Sequence, residues 1–390
     1  MSRLLHWIFG RMPIGWLQLT HKRGRFFAAL SGVAFANVLV FVQLGIMNSM
    51  GTATLRPYEF LSVDIMISAH DANALAEGSN VARQWMLQAL ADPDVIAGTG
   101  LLIGNVPWNR GDNSITFTTF GIDPGQPAFL APEIARDAAL LQVPDVAILD
   151  RLARGLTHDE AATIRPQTPL SFEALGRTLT ALDTFSGGGG FGGDGFMFVS
   201  DQTFLSLFPS RSSAAPDHIL LRLRPGADVA ATVARLRDLI SDPTLRIRSY
   251  ADAAQEDLRY QQTQRPTGVI FGFGVLIGVL VGLVIVYQVL SADVADHLRE
   301  YATFKAMGYG PRFFLGIVVE EALILGVLGF VPGLLVGTAI LVFMGTVTAL
   351  PLAMTASMAI MVFVGTVVFS VLSGAVATRR LAAADPADLF

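Results

Sequence analysis

The sequence predicts a membrane protein with four transmembrane α-helices, arranged one plus three, and a large α+β domain between the first helix and the second. Three observations carry this expectation. Apolar runs lie at Phe26–Met50, Thr267–Leu290, Phe313–Phe343 and Met354–Ala377, each of about 20 residues or more, enough to cross a hydrocarbon core ~30 Å thick as a helix. The first run is separated from the second by residues 51–265, a mixed and water-compatible sequence. Finally, 52% of the 390 residues are hydrophobic and only 15% charged, against about 25% charged in ordinary soluble domains; the mean hydropathy is +0.52.

Each element follows from its local sequence. Residues 1–23 read as an interfacial helix, with Trp7 and Trp16 as belt aromatics and Arg3, Arg11 and Lys22 facing headgroups. The first span is expected at 24–50; it is too long for a signal-peptide core and lacks a small-residue cleavage pattern, so it reads as a retained anchor. The outer domain occupies 51–265, followed by the second span at 266–291, a short cytoplasmic helix at 292–312, the third span at 313–344, a link at 345–353, the fourth span at 354–378 and a tail at 379–390. Within the outer domain, Phe60–Ser68, Val95–Ile103 and Ser114–Ile122 read as strands and Asn80–Leu90 as a helix. Ile219–Arg224, Asp228–Ile240 and Leu245–Tyr250 give strand, helix and strand, a βαβ-like unit, and Ala251–Gln264 is a polar helix.

Positive charge sets the orientation. Lys22, Arg23 and Arg25 precede the first span, Arg299, Lys305 and Arg312 lie between the second and third, and Arg379 and Arg380 follow the fourth. Both termini and the second-to-third loop are therefore expected in the cytoplasm and the insert outside. Residues 51–265 carry a net charge of −8 and the remainder +3, a balance that gives no basic surface for nucleic acid. Cysteine is absent, which excludes disulfides, thiolate metal sites and a cysteine nucleophile.

Motifs that would signal catalysis are missing. Gly187–Gly193 is glycine-rich but lacks the Gly-Lys-Ser/Thr ending that brings a lysine and a magnesium ligand to phosphates, so it reads as a flexible turn or lip. His6, His21, His70, His158, His218 and His297 are scattered without metal-type spacing. No catalytic residue, cofactor or metal is expected.

Three features within the membrane-spanning parts stand out. Gly274, Gly278 and Gly282 recur every four residues in the second span, and Gly329, Gly333 and Gly337 do so in the third. Such ridges let helices approach closely, either within one subunit or at a homodimer seam, and Pro332 loosens the third span beside one of them. Asn37 and Gln43 put polar groups in the first span that seek a neighbouring helix. Glu320 and Glu321 lie about two turns inside the third span. They are either a proton relay or polar lock, or sit near the cytoplasmic interface with one carboxylate reaching headgroups or Arg312, which is the expectation carried forward.

The segment Asp293–Arg312 contains Arg299-Glu300-Tyr301-Ala302-Thr303-Phe304-Lys305-Ala306-Met307-Gly308. As a helix it puts Leu298, Tyr301, Phe304 and Lys305 on one side and Arg299, Thr303 and Met307 on another, with Gly308 as cap and Pro311 as stop. It is either a connector or a short amphipathic helix that docks in a partner's groove.

This run resembles the coupling segment of the MacB/FtsX-like, type VII permeases of ABC transporters. The following Glu320-Glu321-Ala322 and the glycine-spaced third span resemble that family's next element. Leu17–Phe41, Arg222–Val229 and the ending Asp385–Phe390 are most similar to its DevC branch. The resemblance covers both membrane ends and is weak across residues 70–215. It implies four transmembrane helices, a large periplasmic domain, and no nucleotide site or enzyme activity in this chain. It further implies a homodimer in the bacterial inner membrane, working with a separate cytoplasmic ATPase, a periplasmic membrane-fusion adaptor and, through the adaptor, an outer-membrane channel. Arg299, Glu300, Tyr301, Thr303, Phe304, Lys305, Met307 and Gly308 are then the ATPase-coupling residues, and the expected function is export driven by ATPase motion passed to the periplasmic domain. An FtsX-like mechanotransmitter that regulates a periplasmic partner without transport is the alternative, against which the size of the outer domain counts. A sensory receptor would need a cytoplasmic output domain, which the ten residues after Arg380 do not supply.

Overall fold

The computed structural model describes residues 14–21, 23–111, 113–297, 300, 303–304, 307–348 and 350–383. They fall into two compact units. One holds residues 1–48, 270–347 and 352–390; the other holds 49–269 with 348–351.

The first unit contains the bulk of four helices long and apolar enough to cross a membrane: Arg23–Glu59, Pro266–Asp296, Pro311–Thr348 and Ala356–Ala383. They are the first to fourth spans. The one-plus-three arrangement is the one the apolar runs predict. A shorter helix, Ile14–His21, precedes them. The third span runs unbroken through Pro332.

The second unit is built on nine strands: β1 (Ile65–Ala69), β2 (Val95–Arg110), β3 (Asn113–Ile122), β4 (Val146–Asp150), β5 (Leu170–Ala174), β6 (Arg177–Phe185), β7 (Gly195–Ser200), β8 (His218–Leu223) and β9 (Leu245–Ser249). Four of them form an antiparallel sheet in the order β2–β8–β1–β9. With the helices Gln84–Ala89 and Val229–Ile240, this is a split βαβ pair, β-α-β then β-α-β. Alternation explains both faces. Ile65, Ile67, Ile219, Leu221 and Ile247 meet Met86, Val233, Leu236 and Ile240 of the two helices, whereas Met66, Leu101 and Leu220 turn the other way, toward Tyr250 and Ala253. The βαβ-like unit expected at Ile219–Tyr250 is present in this form, but β1 lies between its two strands.

The remaining strands are inserted between β2 and β8. Pairings β2–β3, β3–β7, β7–β4, β4–β6, β6–β5 and β5–β2 close a six-stranded ring, the last through Trp108 opposite Ala174 alone. One apolar cluster takes Val106, Phe117, Leu149, Phe172, Leu179 and Met197 from all six strands, so it fills the ring's interior as in small barrels.

The glycine-rich loop after β6 is pinned. Asp150 is fully buried and accepts from the amides of Gly187 at 2.9 Å and Gly188 at 2.7 Å. Burial pushes its carboxyl above the ordinary aspartate range, while the amides of Leu152, Gly187 and Gly188 pull it back. Arg56 donates to the carbonyls of Ser186 and Gly187, and Arg154 to that of Gly190. The flexible lip expected from composition is thus a held loop, whose first amides already serve an internal carboxylate. Asp150→Ala leaves those amides unpaired and is expected to cost about 1–3 kcal/mol. Hydrogen exchange should rise selectively at 187–193, and unchanged exchange there would contradict the pinning.

Candidate functional site

In lipid no hydrophobic force drives helix against helix, so close van der Waals approach and polar contacts must hold the spans together. The two glycine ridges supply that approach, and both face the first span. A Cβ placed on Gly274 would lie 2.5 Å from Gln43, on Gly278 3.0 Å from Val40, and on Gly282 3.1 Å from Ala36. On the third span, Gly329 would meet Val33 at 2.6 Å, Gly333 Asn37 at 2.8 Å, and Gly337 Phe41 at 3.1 Å. The first span is therefore gripped on two sides, and any side chain larger than hydrogen at the tighter positions must displace it. Thr366 of the fourth span reaches Asn37 Oδ1 at 2.6 Å.

A polar knot ties the ends of three spans on the side predicted to be cytoplasmic. Glu320 and Glu321 are 1% and 0% exposed. Neither reaches outward as expected, because the short helix Ile14–His21 covers them. The Trp16 amide, in that helix's first turn, donates to Glu320 Oε1 at 3.4 Å, where a helix N-terminus favours negative charge. Gly15 lies so close that a Cβ there would be 2.9 Å from Glu321 Cγ. Glu321 faces the Asp293 carboxyl, whose Oδ2 is 3.4 Å from His297 Nδ1. Arg25 at the start of the first span pairs with Asp296 at the end of the second, and Gln18 Nε2 reaches Glu300 at 3.4 Å.

The segment beyond the second span caps as its sequence suggests. Gly308 takes φ +95°, the Met307 amide donates to Thr303 O and the Tyr309 amide to Phe304 O, which closes a left-handed helix end. Phe304 is half-buried; its ring meets Tyr309 at 5.7 Å and Phe313 at 5.8 Å, and Tyr309 stacks on Phe313 at 4.5 Å. It fastens the turn to the third span instead of standing free for a partner. Glu300, Thr303, Met307 and Tyr309 are the exposed positions, Met307 at 61% and Tyr309 at 46%. Arg299, Tyr301 and Lys305 lie outside the described residues.

Sequence reasoning gave Asp293 and Tyr309 no role of their own and read Trp16 only as a belt aromatic, whereas its amide meets Glu320. Asp293 carried a usable signal, an acid directly after an apolar run, but Trp16 and Tyr309 gain their roles only through contacts made by folding. Among the described residues, no group of three or more His, Asp or Glu side chains converges as a metal site would.

Residues 272–386 match the model of the FtsX-like permease C-terminal family. That stretch holds most of the second span, the capped turn, the third span with its glycine ridge and acids, and the fourth span. No curated protein matches the chain. Among solved structures, the chain is similar to the periplasmic region of MacB from Actinobacillus actinomycetemcomitans, at 12% identity and a TM-score of 0.35, over 50% of this chain and 93% of that one. It is also similar to the extracellular domain of the noncanonic ABC-type transporter YknZ from Gram-positive bacteria, at 10% identity and a TM-score of 0.34, over 48% of this chain and 98% of that one. The C-terminal part of the chain is thus similar to FtsX-like permeases.

The grip on the first span has a direct test. Gly333→Leu is expected to lower the stability of the detergent-solubilised chain by about 1–3 kcal/mol, the usual cost of overpacking. Gly272→Leu, where a Cβ meets nothing within 4 Å, should leave the thermal midpoint unchanged. Equal midpoints for the two variants would contradict the packing.

Proposed function

We propose that this chain is the membrane permease subunit of an ATP-driven exporter, with ATP hydrolysis on a separate cytoplasmic chain. The family match over residues 272–386 carries the reading. In this account the permease works in the inner membrane as a homodimer, with both termini in the cytoplasm and residues 51–265 in the periplasm. A membrane-fusion adaptor and, through it, an outer-membrane channel complete the path.

The proposed stroke begins at the capped turn. Closure of the ATPase on ATP presses on Glu300, Thr303, Met307 and Tyr309; the Phe304–Tyr309–Phe313 cluster hands the push to the third span, and the Asp293–Glu321 contact hands it to the second. The second span is one continuous helix from Pro266 to Asp296, so displacement at its foot travels along its axis to the sheet-bearing unit. The chain itself need do no chemistry. Both glycine ridges are occupied by the first span, so the homodimer seam falls on another face. Ile270, Phe273, Ile277, Leu280 and Val284 are exposed on the second span at spacings of three and four, the repeat that lets two helices pack along a seam.

Two measurements test this reading. Met307→Asp places a charge on the exposed contact and is expected to cost on the order of 1–3 kcal/mol of partner binding, read as lost stimulation of the co-expressed ATPase. Gly308→Val should do the same by straining the left-handed cap, while Ala353→Ser in the short link should not. Equal stimulation by all variants at equal expression would refute the coupling assignment. For topology, a reporter fused after Met50 should signal outside the cytoplasm, and reporters at Gly310 and after Phe390 inside it. The opposite signal at any of the three would overturn the orientation.

A further inference from the structure

The glycine-rich loop after β6 carries an exposed aromatic, and its path leads toward the membrane. Arg56 holds the start of the loop, donating to the carbonyls of Ser186 and Gly187 at 3.0 Å each. Three residues on, a Cβ placed on Gly190 would lie 3.3 Å from that of Ala53. Arg56 and Ala53 belong to one unbroken helix, Arg23–Glu59, and Ala53 is the nearer of the two to the apolar run Phe26–Met50. Between Gly187 and Gly190 the loop therefore descends this helix toward the bilayer, and Phe191 comes next. The Gly190 amide donates to Gly193 O at 3.0 Å, which closes a tight turn with Phe191 and Gly192 at its tip. Gly190 is buried, whereas Phe191 is 49% exposed and Gly192 is exposed beside it.

Single exposed apolar side chains are ordinary on protein surfaces, so the height of this one decides its meaning. Ala53 follows the end of the apolar run at Met50 by about 4.5 Å along the helix, at 1.5 Å per residue. A bilayer with a hydrocarbon core of about 30 Å and a full thickness of about 40–45 Å has headgroup layers roughly 5–8 Å deep on each side. Gly190 is thus level with headgroups, and the next side chain has only a short way to go to meet acyl chains. The link 348–351, which joins the third and fourth spans, also groups with the sheet-bearing unit, so a second piece of that unit comes from the ends of membrane-spanning helices. The loop is held firmly enough to aim its tip, since Arg154 donates to Gly190 O and Asp150 accepts from the Gly187 and Gly188 amides.

We propose that the tip of this loop is a lipid contact, in which Phe191 enters the boundary between headgroups and acyl chains of the leaflet from which the first span emerges. Aromatic and aliphatic side chains of interfacial segments settle at that depth. The contact gives the sheet-bearing unit a hold on the bilayer apart from the helices that continue into the spans. It goes beyond the permease reading and does not depend on it, since insertion needs no ATPase, adaptor or cargo.

Because the chain has no cysteine, a single nitroxide can be set beside the ring. A Cβ at Gly192 meets nothing within 4 Å, so Gly192→Cys accepts the label with Phe191 intact. The full-length chain is placed in phosphatidylcholine nanodiscs, and electron paramagnetic resonance reads the label's collisions with oxygen, which concentrates in lipid, and with a water-soluble nickel chelate. A label at Leu87→Cys, on the helix Gln84–Ala89 and 66% exposed, is the reference in water. The label at 192 is expected to have severalfold lower nickel access than the reference, with oxygen access at least as high. Phe191→Asp should return it toward the reference value, and Phe191→Leu should not. Nickel access at 192 equal to the reference would leave the tip in water and overturn the proposal. Low access to both reagents would place the tip against protein, such as a second copy of the chain, and overturn it equally. Unchanged nickel access in folded Phe191→Asp would count against it too; if that variant does not fold, the measurement with Phe191 intact decides alone.

Discussion

The close contact of the first span with the glycine ridges of the second and third is the interaction on which the membrane-spanning unit rests. Soluble helices associate because water expels their apolar faces. In a bilayer that force is absent, and what remains is dispersion at short range plus polar groups that find each other. Removing six side chains, at 274, 278, 282, 329, 333 and 337, brings two helix backbones onto Val33, Asn37, Ala36, Val40 and Phe41. These positions act together, since each close approach sets the distance available to the next along the same helix pair. The helices of the first and second spans also extend past this unit in sequence, the first to Glu59 and the second from Pro266.

The polar groups add specificity to the grip. Glu320, Glu321 and Asp293 are expensive in an apolar setting, and they lie where the short helix Ile14–His21 and the ends of the second and third spans meet, the Trp16 amide reaching Glu320. The capped turn begins just beyond that knot, and its aromatic cluster binds it to the third span. A load applied at Met307 or Tyr309 would therefore meet a fastened structure, as the stroke proposed above requires.

Much of this was legible in the sequence, and the gaps have physical causes. The spans stood out because lipid demands long unbroken apolar runs. β3, β8, β9 and the Val229–Ile240 helix were visible through clean periodicity. β2 was expected to stop at Ile103 but runs to Arg110; Gly104 and Pro107, residues disfavoured inside strands, hid its second half. β1 was expected from Phe60 but begins at Ile65, since the first helix continues to Glu59. The helix expected from Asn80 starts at Gln84, because the amides of Val81 and Arg83 bond to Pro216 and Ala214. The ring was invisible: β4 and β7 are buried on both faces and show no alternation. At the candidate site, the cap at Gly308 could be read locally. The inward burial of Glu321 and the internal role of Phe304 could not, because their partners are Asp293, Gly15 and Phe313, brought together only by folding.

The central claim is that the ridges serve contacts inside one chain. Since the protein has no cysteine, disulfide trapping tests it without background. A Cβ at Gly282 would lie 3.1 Å from that of Ala36, close to disulfide range. Ala36→Cys with Gly282→Cys, oxidised in membranes, should give an internal link with no change in apparent mass under denaturation, and Gly282→Cys alone should form no disulfide-linked dimer. A disulfide-linked dimer from Gly282→Cys alone, with no internal link in the double variant, would place the ridge at a seam between copies and contradict the account.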